Sequence, residues 1–223
     1  LLAAPAYAQT DAQPDEEQIS ELVVTATRIA RSPGNVPASI SVLSGVELQH
    51  ARQQLGLDEA LARVPGVYFQ NRYNFAQDLR IAIRGFGARS NFGVRGIKIL
   101  VDDIPETLAD GQSQVDSIDI GSIGQVEVLR GPASALYGNA AGGVINIRTE
   151  DGTAEPYAEA RTAFGDYGFR KHQLKTVGTT ERVNYLLSLS DLEIDGYREH
   201  SAARNKQFNS RLRFAIADNS ELT

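Results

Sequence analysis

Val126-Glu127-Val128-Leu129-Arg130-Gly131-Pro132-Ala133-Ser134-Ala135-Leu136-Tyr137-Gly138-Asn139 runs on into Ala140-Ala141-Gly142-Gly143-Val144-Ile145-Asn146-Ile147, and the reading of this stretch decides the fold. Two β-prone runs, Gln125 to Leu129 and Gly143 to Thr149, flank one short helical turn, which Pro132 opens at the first helical position and Gly138 terminates. Toward the N-terminus, Ser39-Ile40-Ser41-Val42-Leu43 alternates like a strand, and Ser44-Gly45-Val46-Glu47 is a capping box that starts a helix through about Leu55, closed by Gly56. Leu57, Ala60, Leu61 and Val64 then sit at helical spacing behind the acidic first turn Asp58-Glu59, and Pro65-Gly66 ends this second helix before the strand Val67-Tyr68-Phe69. With further strands at Leu79 to Arg84 and Ile97 to Val101, the sum is a small α+β domain of about 110 residues, large enough to fold by itself.

After Asp151-Gly152 the pattern changes. Helical periodicity stops, and segments of about ten residues with period-2 alternation follow one another between turn signals. Tyr185, Leu187 and Leu189 alternate with Asn184, Ser188 and Ser190; Phe208, Leu212, Phe214 and Ile216 alternate with Gln207, Asn209, Arg211 and Arg213. Residues 157–166 and 169–178 follow the scheme less cleanly, with Glu159 and Arg161 opposite Ala158, Ala160, Thr162 and Phe164. Two structures satisfy this alternation: a soluble antiparallel sheet with its apolar face on a core, or barrel strands with the apolar face toward lipid and the polar face toward a wet lumen. Alternation alone does not separate them. About four strands cannot close a lipid-facing barrel, whose smallest single-chain forms have about eight, so the barrel reading requires a truncated chain.

The 223 residues carry 22 basic and 28 acidic side chains, a net charge of −6, which argues against a general nucleic-acid binder. Apolar residues make up 42% of the chain, enough to bury a core. With no cysteine, a disulfide framework, a thiolate metal site and a cysteine nucleophile are all excluded. His50, His172 and His200 lie in separate segments with no partner at helical spacing, so no metal site or catalytic triad is expected, and no cofactor. Nowhere is there an apolar run of about 18 residues, so a membrane crossing would have to use strands. Leu1 to Ala8 reads as the tail of a signal peptide closing on Ala6-x-Ala8, and residues 9–20 as a polar, mobile leader. The β-prone run Glu21-Leu22-Val23-Val24-Thr25-Ala26-Thr27-Arg28 follows with no mate beside it.

Several of these pieces resemble one family. Glu21 to Ala26 resembles a TonB box; Ile83-Arg84-Gly85-Phe86-Gly87 and Leu100-Val101-Asp102-Asp103-Ile104-Pro105 resemble motifs of the plug domain of TonB-dependent outer-membrane receptors. The run from Val126 to Ile147 is the longest ordered match, and Asp195-Gly196-Tyr197-Arg198-Glu199-His200 is similar to a turn after an early barrel strand. Asp103 departs from the pattern, standing where Gly is usual. The resemblance implies an α+β plug domain followed by the first antiparallel strands of a transmembrane β-barrel. The implied divisions are a signal remnant at 1–8, a periplasmic leader at 9–35 with the box at 21–28, the plug at 36–150 and barrel strands at 151–223. It further implies uptake of a scarce ligand such as a ferric chelate or small cofactor, TonB and outer-membrane lipid as partners, a Gram-negative outer membrane as location, and no enzymatic activity. The segments Arg84 to Asn91, Asp110-Gly111-Gln112 and Leu129 to Asn139 are similar to receptors of the ferric dicitrate and pyrroloquinoline quinone groups. A free plug or a fragment without transport activity stays open; a signalling receptor is disfavoured, with only about a dozen residues between the cleavage site and the box.

Roles follow from the chemistry of each stretch. The box residues Glu21, Leu22, Val23, Val24, Thr25 and Ala26 are expected to bind TonB by pairing an extended backbone with a sheet edge. Cation, amide and ring combine in Arg72-Tyr73-Asn74-Phe75-Ala76-Gln77 and in Arg89-Ser90-Asn91-Phe92, which with Asp110, Gln112 and Gln114 are the candidate ligand loops at the plug apex. Arg84 and Arg130 each end a strand before Gly, and their guanidinium forks are expected to lock the plug to acidic partners on the barrel. The Gly-rich runs at Gly138 to Gly143 and Gly85-Phe86-Gly87 lack the remainder of any phosphate-binding signature and are expected as tight turns against the barrel wall.

Overall fold

The structure is a computed structural model and describes residues 24–26, 28, 32–50, 52–71, 78–91, 93–217 and 220–223. In chain order the first elements are β1 (Ser39–Ser44), α1 (Gly45–Gln49), α2 (Leu57–Leu61), β2 (Val67–Gln70), β3 (Arg80–Ile83), β4 (Val94–Arg95), β5 (Ile97–Val101), β6 (Ile104–Pro105), β7 (Gln112–Ser113), β8 (Ile123–Arg130), α3 (Ser134–Tyr137) and β9 (Gly143–Thr149). They are followed by β10 (Tyr157–Phe164), β11 (Arg170–Thr179), β12 (Val183–Ile194), β13 (Ala203–Ala217) and β14 (Ser220–Leu222).

The plug is built on a five-stranded sheet in the order β1-β8-β9-β5-β6, antiparallel except for the parallel pair β5 and β9. Both faces are covered, which is why β8 and β9 read as nearly continuous apolar runs. On one face Val126, Val128, Ile145, Ile147, Ile97 and Ile99 pack under Leu48 of α1 and Leu57, Ala60 and Leu61 of α2. On the other, Leu129, Val144 and Leu100 meet Ala133, Tyr137 and Ala140, together with Val24 and Ala26 from the N-terminal segment. Glu127 and Asn146, register partners on β8 and β9, are buried polar residues of that second face.

Local signals hold where they are self-contained. Ser44 caps α1 with both halves of its box formed, the hydroxyl accepting from the Glu47 amide and the Glu47 carboxylate accepting from the Ser44 amide at 2.9 Å. Those Ser44 hydrogen bonds, backbone first, hold the Glu47 carboxyl below its ordinary value. Two expectations are corrected. The first helix stops at Gln49 instead of about Leu55, because the Glu59 carboxylate accepts from the amides of Gln54 and Leu55 and so offers those groups an alternative to helical bonds; Gly56 is the N-cap of α2, not the end of α1. Pro132 precedes Ala133, the N-cap of α3, and so lies outside the helix rather than at its first position. The glycine runs are tight, but inside the plug: a Cβ at Gly143 (φ 146°) would stand 2.2 Å from the Leu129 carbonyl, and one at Gly87 2.5 Å from that of Ile81.

Strands β10 to β14 form an antiparallel meander, each pairing with the next. Here the two readings of the alternation separate. The apolar face is bare, with Phe208 65% and Ile216 68% exposed, while the polar face is covered by the plug, leaving Lys175 only 4% exposed. A soluble sheet would have buried the other side; this arrangement is that of barrel strands around a filled lumen. No helix among the described residues is long and apolar enough to cross a membrane.

Candidate functional site

The sequence places Val24, Thr25 and Ala26 in a run without a mate, yet the three are docked on the plug sheet, with Val24 and Ala26 fully buried. Glu127, itself buried, is the anchor. Its carboxylate accepts from the Thr25 amide (3.0 and 2.9 Å to its two oxygens), the Thr25 hydroxyl (3.0 Å) and the Ala26 amide (2.6 Å), with the Gln125 side-chain amide beside them at 3.0 Å. The Tyr137 hydroxyl donates to the Ala26 carbonyl at 2.9 Å, and the Arg28 guanidinium lies 4.5 Å from the centre of the Tyr137 ring. Burial pushes the Tyr137 hydroxyl above its ordinary value against the opposing charge of Arg28, so it remains a donor. Arg148 Nε at 3.0 Å and Asn146 Nδ2 at 3.3 Å donate to the Thr25 hydroxyl. Glu21, Leu22 and Val23 lie outside the described residues.

Nothing in a single-sequence reading pointed to Glu127, although a lone acid among apolar neighbours in a strand covered on both faces was the available signal. A buried carboxylate requires donors, and here the docked backbone supplies them.

The described parts of two candidate ligand loops lie together. Arg89 and Asn91 precede β4, Asp110 leads into β7, which Gln112 opens, and β4 and β7 pair, with Arg95 opposite Gln112. Arg80 ties the base of the third loop to them, donating to the Asn91 carbonyl at 3.1 Å and to the Gln70 side chain at 3.3 Å. Arg89, Asn91, Asp110 and Gln114 are exposed and Gln112 is half-buried. Arg72, Tyr73, Asn74, Phe75, Gln77 and Phe92 lie outside the described residues. A cavity of about 670 Å³ opens beside Asn71 and Leu79, between Asp58 and Asp116 of the plug and Lys171 and Gln207 of the wall. Desolvation, and after it the charge of Asp78, pushes the Asp116 carboxyl above its ordinary value.

Between plug and wall the observed contacts have the polarity opposite to the one expected: cations stand on the strands and acceptors on the plug. Arg161 donates to the carbonyls of Gln49 (3.0 Å) and Arg52 (2.7 Å), Lys171 to that of Gln54 (3.0 Å), and Lys175 to the Glu150 carboxylate (2.7 Å). Arg211 reaches Asp102 at 3.2 Å, the Glu150 carbonyl at 2.9 Å and Asp151, which Arg213 also engages. Ser188 donates to the buried Asp119 at 2.7 Å. These cations occupy the inward positions of the period-2 pattern, so the signal was present in the sequence. Arg130 instead bonds within the plug, to the Pro65 carbonyl at 2.7 Å and the Ser41 hydroxyl at 3.1 Å. Arg84 adopts a left-handed backbone (φ 51°) with its amide on the Gly66 carbonyl and is exposed. No cluster of metal-ligating side chains occurs among the described residues.

The TonB-dependent Receptor Plug Domain family matches residues 32–144. Among curated proteins, the vitamin B12 transporter BtuB of Vibrio vulnificus (strain YJ016) is 30% identical over 185 residues, covering 82% of this chain and 29% of the relative. Among solved structures, pyoverdine-bound FpvA of P. aeruginosa superposes with a TM-score of 0.70 at 18% identity, over 89% of this chain and 26% of that one. The ferric yersiniabactin uptake receptor FyuA of Yersinia pestis gives 0.61 at 22% identity, over 81% and 29%. The chain thus spans less than a third of the length of these relatives. Matched over just over half its length and carrying that domain's fold against the first strands of a barrel wall, the chain belongs to the TonB-dependent receptor plug-domain family.

Proposed function

We propose that this chain carries the gate and the coupling handle of an outer-membrane transporter that takes up a scarce small ligand with energy delivered by TonB. The observation that carries the reading is the docked state of Val24 to Ala26. Pairing with a partner's sheet edge needs free backbone amides, and the Thr25 and Ala26 amides are engaged by Glu127. The handle is therefore stowed, and coupling requires its release. Arg84 and Arg130 remain the candidates for locks onto acidic wall residues, acting alongside the wall cations described above. At the opposite functional end, Arg89, Asn91, Asp110, Gln112 and Gln114, with the loop 72–77 and Phe92, form the ligand face. Their mixture of cation, amide, acid and ring suits a polar chelate or small cofactor, in keeping with the resemblance to the ferric dicitrate and pyrroloquinoline quinone groups.

Val24→Pro tests the handle. Proline fixes φ and removes the amide donor, so the variant receptor should lose crosslinking to TonB and ligand uptake while binding ligand as before. Normal uptake by the variant would refute the assignment of the box.

A further inference from the structure

Asp102 and Asp103 form the two-residue turn of the β5–β6 hairpin, both with left-handed backbone, φ 48° and 67°. That conformation explains why Gly is usual at the second position and makes an Asp there a departure in need of a reason. The two carboxylates serve opposite neighbours. Asp102 accepts from the amide and hydroxyl of Thr149 at the end of β9, at 2.9 and 2.6 Å, and from the wall residue Arg211 at 3.2 Å. Asp103 pairs with Arg148 at 3.4 Å, and Arg148 in turn donates through Nε to the Thr25 hydroxyl of the docked segment. Side-chain contacts on the two residues of one turn, joined through its backbone, therefore link the wall to the segment.

We infer that Asp103 is a positioning residue for the coupling segment, holding the Arg148 guanidinium on Thr25, and that Arg211 fixes the turn from the wall side through Asp102. The function is retention. Glu127 supplies the main anchorage, and Arg148, held by Asp103, donates to the same Thr25 hydroxyl that Glu127 accepts from, adding a second tie to that side chain. The value of an Asp at this position lies in its charge, since the backbone would be served as well by Gly. Asn tolerates the same φ and removes the charge, so the two substitutions separate the two roles. The inference rests on the reading of this segment as the handle, but its test does not.

Val24→Cys, buried in the docked state, reports undocking by its rate of reaction with a maleimide, read against the same receptor without the substitution. The measurement is made on the complete receptor in isolated outer membranes, with Ala60→Cys, buried in the other core, reporting general loosening. The Asp103–Arg148 pair is half-exposed, so Asp103→Asn and Asp103→Gly should each speed labelling at residue 24 by about 2- to 5-fold, with no change at residue 60. Arg211→Ala should raise it by about 2-fold. Unchanged labelling in both Asp103 variants overturns the role of Asp103, as does slower labelling in the glycine variant, which would mean that the turn acts through its shape. Equal acceleration at residue 60 overturns the inference as well, and no change in Arg211→Ala removes the wall from it. Faster labelling at residue 24 without greater capture by TonB would leave the inference standing and refute the handle.

Discussion

Three donors of the docked segment converge on the Glu127 carboxylate, and that convergence explains both its burial and its consequence. A buried charge left without partners costs several kcal/mol, so the segment cannot depart unless water reaches Glu127 in its place. The docked and released states are thus separated by an exchange of hydrogen bonds as well as by exposure of Val24 and Ala26. Tyr137 contributes from the other side by donating to the Ala26 carbonyl. Removing that one bond in Tyr137→Phe should weaken docking by about 1 kcal/mol, seen as roughly fivefold faster hydrogen exchange at the Thr25 and Ala26 amides. Unaltered exchange would mean that the hydroxyl bears no load. None of this was legible in sequence, because Thr25 and Glu127 are separated by 102 positions and only the fold brings them together. What could be read was narrower: β-branched Val24 and Thr25 favour an extended backbone whether it pairs with this sheet or with another protein.

Among the elements, legibility followed the range of the interaction that decides each one. The start of α1 rests on Ser44 and Glu47, three residues apart, and was foreseen; its end rests on Glu59 reaching back to Gln54 and Leu55 from the next helix, and was not. Ser44→Ala should cost about 1 kcal/mol, measured as faster amide exchange across α1, and no change would show the cap to be redundant with packing of Leu48. The sign of its pH dependence follows from the lowered carboxyl of Glu47. Its stabilising contribution is present above the ordinary carboxyl value of 4.5 and is lost as pH falls through the lower folded value, so the Ser44→Ala penalty should shrink in acid. The strands after residue 151 posed a different difficulty. Period 2 showed that β12 and β13 have one apolar and one polar face, but not which of them is buried; that depended on the plug, whose carbonyls and carboxylates cover Arg161, Lys171 and Lys175.

Across the described residues as a whole, the wall holds the plug and the plug holds the docked segment 24–26, with the Asp102–Asp103 turn belonging to both contacts. The general plan was legible because the long run from Val126 to Ile147 is a local pattern of strand, turn and strand; the plug partners of the wall cations were not, since Arg211 and Asp102 lie 109 positions apart. The central claim is that Glu127 keeps the handle stowed. If the released form is the minor one, the affinity for TonB is reduced by its fractional population, and weakening the anchor must raise it. The direct measurement is binding of a soluble periplasmic fragment of TonB to the ligand-free receptor and to its Glu127→Gln variant. Stowing by Glu127 predicts at least about tenfold tighter binding by the variant, since hydrogen bonds to a charged group are being exchanged for weaker ones. Equal affinity of the two proteins, with Val24→Pro still abolishing binding, would contradict it.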